Sequence, residues 1–508
     1  MRNFNRTLLV LACTALAACD SGQVPEAQTQ APAAQRMYGQ VAFAPCTLEG
    51  SQVAATLEAL CGKWSVAEDP DRPQGRQIDL NIAWLPPKDN QLGTPDPVFF
   101  LAGGPGQAAT EVAGMLQGAL AEVLKKRDVI LIDQRGTGGS NSLACVDGDG
   151  KPLEIDEAQA SDIDIDGLRR WISQCHAGLE GRADTRFYTT GQAIDDLDAV
   201  RQALGVAQVN LIGSSYGTRV AQQYAARYPQ QTRSLILDGV VPNDLVVGAE
   251  FAQTFQRAIS LQSQLCQADA ACAKRFPDDL LSQLQQVVDG LRAQPREVGF
   301  RDPATAQWHS QTLTADAVTG LAFAFSYMPQ ASALLPVVLD EARAGRYEAL
   351  AALSRLASAN MSGSINRGMQ WSVICAEDFH RLGKVDASGT LLGAEMVQYM
   401  YAACPVWPHI AADVASTAPL ASDLPVLLLS GEVDPVTPPA YGDAVLEQLP
   451  HGRHLVARGQ GHGTLGVGCM PGLLAQFLDT TDAAALDASC LDNLRPVLPF
   501  TSFNGWEP

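Results

Sequence analysis

Basic residues are scarce in this sequence: 35 Lys and Arg stand against 55 Asp and Glu, a net charge of −20 over 508 residues. Without clustered cations to neutralise a phosphate backbone, nucleic acid is excluded as a partner. CxxC pairs and His-rich clusters are also missing, and there are only seven His in all. No metal site and no cofactor is therefore expected. There are no internal repeats, and beyond the N-terminal segment no run is apolar enough to cross a bilayer. What remains is ordinary in bulk: 46% hydrophobic and 18% charged residues. That composition excludes disordered, collagen-like and coiled-coil chains and allows a large core.

The N-terminus reads as an address. Arg2 and Arg6 precede a short apolar run, 8–16, too short to span a membrane as a mature helix. The run ends in Leu16-Ala17-Ala18-Cys19, which resembles the lipobox of bacterial lipoproteins. That resemblance implies a signal peptide over 1–18, a diacylglycerol on Cys19 and export to the bacterial envelope or periplasm, held to a membrane by the lipid. The alternative is an ordinary signal peptide with Cys19 incidental. Residues 19–40, rich in Gln, Ala and Pro, read as a tether. Of 12 cysteines, removing Cys13 and Cys19 leaves ten, which fall along the chain as neighbours: 46 and 61, 145 and 175, 266 and 272, 375 and 404, 469 and 490. Sequential disulfides are the simplest pattern for an exported chain.

Short apolar runs punctuate the rest: PVFFL (97–101), DVILI (128–132), VNLI (209–212), SLIL (234–237) and PVLLL (425–429). Runs without alternation suit strands of a parallel sheet covered on both faces by helices. Residues 77–84 alternate, as an outer strand does. Between 238 and 425 no such run occurs, only amphipathic stretches such as 278–291 and 332–357. The expected organisation is a two-part α/β core, 41–242 and 422–508, interrupted by a mostly helical cap, 243–421. The acidic stretch 147–166 opens with Asp-Gly-Asp-Gly but lacks calcium-loop spacing, and reads as a solvated loop.

The chemistry gathers at strand ends. Gly213-Ser214-Ser215-Tyr216-Gly217 fits G-x-S-x-G, directly after VNLI and before a helix-compatible run. Such a strand-to-helix elbow exposes Ser215 as a nucleophile and aims the Tyr216 N–H at a developing oxyanion. A second donor is expected from the loop after PVFFL, Gly104 ahead of Gly103. The acid should follow, then the base. Asp434 lies just past PVLLL, with Glu432 as a rival nearer the strand, and His462 sits in a Gly-flanked loop. Neutral His462 would take the Ser215 proton while Asp434 fixes its tautomer.

Taken in order, Gly103-Gly104-Pro105-Gly106, Asp133-Gln134-Arg135-Gly136-Thr137-Gly138, the Ser215 elbow, Gly431-x-x-Asp434-x-x-Thr437-Pro438 and Gly459-x-Gly461-His462 resemble the prolyl and tripeptidyl aminopeptidase family of α/β-hydrolases. The resemblance implies the α/β-hydrolase fold and a serine exopeptidase acting on peptides with a free N-terminus through an acyl-enzyme. Ala102 and Tyr216 stand where proline-releasing members usually carry His and Trp, which turns the expectation toward the tripeptidyl branch. In the cap, Glu377 and Asp378 look like a segment of that branch and are expected to meet a substrate ammonium, Glu377 first. Trp371 and Trp407 are expected either to line an apolar pocket or to sit in the core. Two rivals remain: a carboxylesterase on the same triad, and an inactive envelope binding protein.

Overall fold

The computed structural model describes residues 35–50, 56–89, 94–147, 150–153, 164–362 and 365–505. The signal segment 1–18, Cys19, the tether to residue 34 and the acidic residues 154–163 lie outside the described residues.

Twelve strands are described: β1 (Arg36–Tyr38), β2 (Val41–Glu49), β3 (Thr56–Ala67), β4 (Gln77–Leu85), β5 (Val98–Leu101), β6 (Val129–Ile132), β7 (Val209–Ser214), β8 (Thr232–Asp238), β9 (Arg296–Arg301), β10 (Trp308–Leu313), β11 (Val426–Gly431) and β12 (Gly452–Ala457). Ten of them form one sheet in the order β1-β2-β3-β4-β6-β5-β7-β8-β11-β12. The pairs from β1 through β4 to β6 are antiparallel, and those from β6 onward are parallel. Residue patterns explain the split. In β5, β6 and β11 every residue is buried, as strands covered on both faces require, whereas β2 alternates buried and exposed positions. Strand β5 neighbours β6 on one side and β7 on the other. The chain therefore reverses direction across the sheet at β5, and crevices open at such switch points beyond the carboxyl ends of the strands.

From β8 to β11 the chain is mostly helical, with its own apolar cluster around Phe255, Leu284 and Val338. Two local features differ from the sequence reading. The stretch 332–357 is not one helix: Leu335–Arg343 stops at Gly345, whose φ of +87° suits a helix C-terminus, and Glu348–Ser362 starts anew. The hairpin β9–β10 leaves little sequence signal because it buries only alternate residues, Val298 and Phe300 on one strand and Leu313 on the other. All five cysteine pairs close between sequence neighbours, as expected: Cys46–Cys61, Cys145–Cys175, Cys266–Cys272, Cys375–Cys404 and Cys469–Cys490. Trp407 is fully buried, its indole N–H donating to Ser372 Oγ at 2.9 Å.

Candidate active site

Ser215 follows β7 at φ +55°, ψ −125°, a conformation that costs a non-glycine residue energy and must be imposed by its surroundings. Three contacts impose it. Its N–H donates to the Asp238 carbonyl at 2.8 Å, and its own carbonyl accepts from the Thr218 N–H and hydroxyl at 2.8 and 2.7 Å. Flanking glycines let the strand and helix close on each other. A Cβ on Gly213 would lie 2.4 Å from the Gly217 carbonyl oxygen, and one on Gly217 would lie 2.1 Å from that of Leu101. No side chain fits at either position.

Asp434 is wholly buried past β11 and accepts four hydrogen bonds. The N–H groups of Val436 and Thr437 reach Oδ1 at 2.9 and 2.8 Å, while the Thr437 hydroxyl and His462 Nδ1 reach Oδ2 at 2.8 and 2.7 Å. These four donors hold the carboxylate in place, and its contact with Nδ1 presets His462 with its proton on that nitrogen. Nε2 is left for a serine proton. Burial pulls the imidazole pKa down, but Asp434 and then Asp238 outweigh it and hold it above the ordinary value. Glu432, the rival acid, instead accepts from the Gly459 N–H at 2.8 Å. His454, in β12, bridges Asp443 and Ser430.

Asp238, at the end of β8, was not singled out from the sequence. Its backbone carbonyl holds Ser215, and its buried carboxylate accepts from the Thr464 N–H at 2.9 Å and hydroxyl at 2.7 Å, just past His462. One residue thus ties the nucleophile loop to the histidine loop. The signal was available only as a lone Asp ending the run SLIL. Tyr327, from the helical insertion, accepts from the His462 N–H at 2.9 Å through its carbonyl and stacks edge-on to the imidazole at 5.2 Å.

Gly104, Ser215 and Tyr216 line one cavity. Gly104 adopts φ +110°, and neither its N–H nor that of Tyr216 has an acceptor among the described residues. The Tyr216 side chain is locked beneath the cavity floor, its hydroxyl 2.6 Å from Thr190 Oγ1 and accepting from Gln134 Nε2 at 3.2 Å. Behind it stand the two cap acids. Glu377 accepts from the Thr190 N–H at 2.7 Å and hydroxyl at 2.9 Å. Burial pushes its carboxyl up to about 7, against the opposing pull of Arg219 and of the Thr190 N–H. Asp378, wholly buried, pairs with Arg219 at 3.3 Å and Arg381 at 2.6 Å.

This arrangement corrects the sequence reading. Neither Glu377 nor Asp378 lines the cavity: Asp378 holds the helix Tyr216–Arg227 through Arg219, and Glu377 holds Thr190, whose hydroxyl in turn meets the Tyr216 hydroxyl. The acids that do line it are Asp316 and Glu395, both exposed, and neither has a cation or hydrogen-bond donor on its carboxylate among the described residues. Their lone placement in amphipathic helices gave no sequence signal. The cavity measures about 540 Å³, a volume suited to a short peptide rather than a folded chain. Its wall is largely apolar, with Trp371, Phe251 and Phe323 among the lining residues.

Comparison with known proteins agrees with this architecture. The chain is similar to the serine protease Hip1 of Mycobacterium tuberculosis, 30% identical over 243 residues, 46% of each chain. It is 28% identical over 188 residues to the tripeptidyl aminopeptidase of Streptomyces lividans, covering 36% of this chain and 35% of that one. It is also 27% identical over 322 residues to carboxylesterase B of Mycobacterium tuberculosis, 61% of this chain and 58% of that one. The chain thus spans about half the length of the curated relatives it matches. A family profile described as the alpha/beta hydrolase fold covers residues 96–468, from before β5 to past His462. The chain belongs to the α/β-hydrolase fold family.

Proposed function

We propose that this chain is a serine exopeptidase that removes short units from peptides bearing a free N-terminus. The observation that carries the reading is the shared cavity: Ser215 opens into a peptide-sized space that also holds Asp316 and Glu395, two carboxylates without cation partners among the described residues. A charge-assisted contact to an α-ammonium would fix the distance from the N-terminus to the scissile bond.

His462 Nε2 removes the Ser215 proton as Oγ attacks the carbonyl, Asp434 stabilises the resulting imidazolium, and the N–H groups of Gly104 and Tyr216 receive the oxyanion. The imidazolium then protonates the leaving amine. Water, deprotonated by the same histidine, cleaves the acyl-enzyme and restores Ser215. Similarity to a protease and to a tripeptidyl aminopeptidase supports this reading; similarity to carboxylesterase B keeps an esterase as the second reading on the same triad. Tripeptide p-nitroanilides with free and acetylated amines distinguish the two. Cleavage restricted to the free amine is expected, and turnover of short-chain esters with no anilide cleaved would leave the esterase.

The chain is further proposed to act outside the cytoplasm, tethered by a lipid on Cys19. The five disulfides support an oxidising compartment. Fatty-acid labelling of the wild type that is lost in Cys19→Ala is the expected result.

A further inference from the structure

Arg367 is the one Lys or Arg among the described residues that line the cavity. It opens the helix Arg367–Glu377, where a cation opposes the positive end of the helix dipole, so its own helix gives it no electrostatic support. No carboxylate pairs with it among the described residues. Among the described residues, its side chain makes one hydrogen bond, from Nη1 to Gln370 Oε1 at 2.7 Å. Most other arginines near the site behave differently: Arg135 is forked onto Asp196, Arg219 and Arg381 onto Asp378. The Arg367 side chain is exposed to the cavity, and desolvation by its surroundings draws its pKa below the ordinary value.

Its position is fixed. The adjacent Asn366 donates its N–H to the Gly106 carbonyl at 2.8 Å and its amide to Ser142 Oγ at 2.8 Å, and its side-chain oxygen caps the helix through Met369 N–H. A Cβ on Gly368 would lie 2.2 Å from the Leu143 carbonyl oxygen, so the helix start packs directly onto the core. The base of Arg367 therefore sits beside the loop that carries Gly104. Gln370, one turn on, also lines the cavity. Its amide oxygen faces Arg367, which turns its NH2 away as a further donor, one with no acceptor among the described residues.

We propose that Arg367, with Gln370, is the anchor for a carboxylate of the bound peptide. A guanidinium presenting donors in a fixed fork, unpaired beside an oxyanion loop, matches a carboxylate and matches no neutral or cationic group as well. The carboxylate has two possible sources, the free C-terminus of a short peptide or an acidic side chain near the scissile bond. With Asp316 and Glu395 in the same cavity, the site would read both charges of a zwitterionic peptide. This inference rests on the peptide reading above, and its test does not need peptide turnover.

The experiment measures competitive inhibition of p-nitrophenyl butyrate hydrolysis by two peptide pairs. The first pair is Ala-Ala-Ala as free acid and as carboxamide. The second is Ala-Ala-Glu-amide and Ala-Ala-Gln-amide. In the wild type, one pair is expected to show a Ki at least about 10-fold lower for its carboxylate-bearing member, and that pair identifies the source. R367A should collapse the ratio to about one, and R367K should leave an intermediate value because it keeps the charge and loses the fork. A wild-type ratio near one in both pairs, or a full ratio surviving in R367A, overturns the assignment. The wild-type arm decides the matter even if R367A fails to fold. Absence of anilide cleavage with an intact Ki ratio would count against the peptidase reading and leave the anion site standing.

Discussion

Two sets of acids around the same serine behave in opposite ways. Asp238, Glu377, Asp378 and Asp434 are buried, and every one is held by hydrogen bonds or arginines within the fold. Asp316 and Glu395, from the insertion, are exposed to the cavity and have no such partners among the described residues. The first set has satisfied its charge or neutralised it and can only build the site; the second has charge available for a ligand. Burial without partners is costly, so an acid deep in the fold is almost always already committed. The lesson is that residue type and neighbourhood in sequence cannot separate the two sets, whereas the hydrogen-bond inventory can.

Ser215→Ala should lower kcat by about 10,000-fold or more with the fold intact, because the proposed chemistry passes through that oxygen. Retained activity with folding unchanged would place the reaction elsewhere. Asp378→Asn should leave Arg219 buried without a full counter-charge and cost about 3–5 kcal/mol, read from urea unfolding midpoints. A shift below about 1 kcal/mol would mean that Asp378 is not committed to the fold.

Glu377 gives the smallest effect and a signed one. Its folded carboxyl, near 7, keeps a proton that the unfolded chain releases near the ordinary carboxyl value. Folding then binds a proton between those values, so the group's contribution is fullest at acid pH and is lost as pH rises from about 4.5 to about 7. Glu377→Gln does not titrate. Its stability relative to wild type should therefore improve across that window by roughly 2 kcal/mol, measured as unfolding free energy against pH. A difference that stays flat would show that the Glu377 carboxyl is not protonated in the fold.

Much of this architecture is legible in the chain itself. Short, mostly apolar runs announced β5, β6, β7, β8 and β11 because strands covered on both faces leave few polar positions, and the elbow glycines are demanded by approaches of 2.4 and 2.1 Å. The half-exposed strands β1 to β3 and β9–β10 were illegible because a single buried face leaves a weak pattern. Ser215, Asp434 and His462 stood out through local punctuation, Gly and strand ends. Asp238, Asp316, Arg367 and Glu395 did not, since their significance lies in what long-range folding brings beside them or withholds from them. Glu377 and Asp378 show the converse, a suggestive local segment whose charges are taken up by Thr190, Arg219 and Arg381.

In the proposed function, the cavity carboxylates Asp316 and Glu395 read a free amine. The direct measurement is kcat/KM for Ala-Ala-Ala p-nitroanilide with free and acetylated N-termini, in the wild type and in a D316N/E395Q double variant. The wild type should prefer the free amine by about 100-fold, the value of two charge-assisted contacts at roughly 1.5 kcal/mol each, and the double variant should lose most of that preference. A wild-type ratio near one, or a ratio unchanged in the double variant, would contradict the claim.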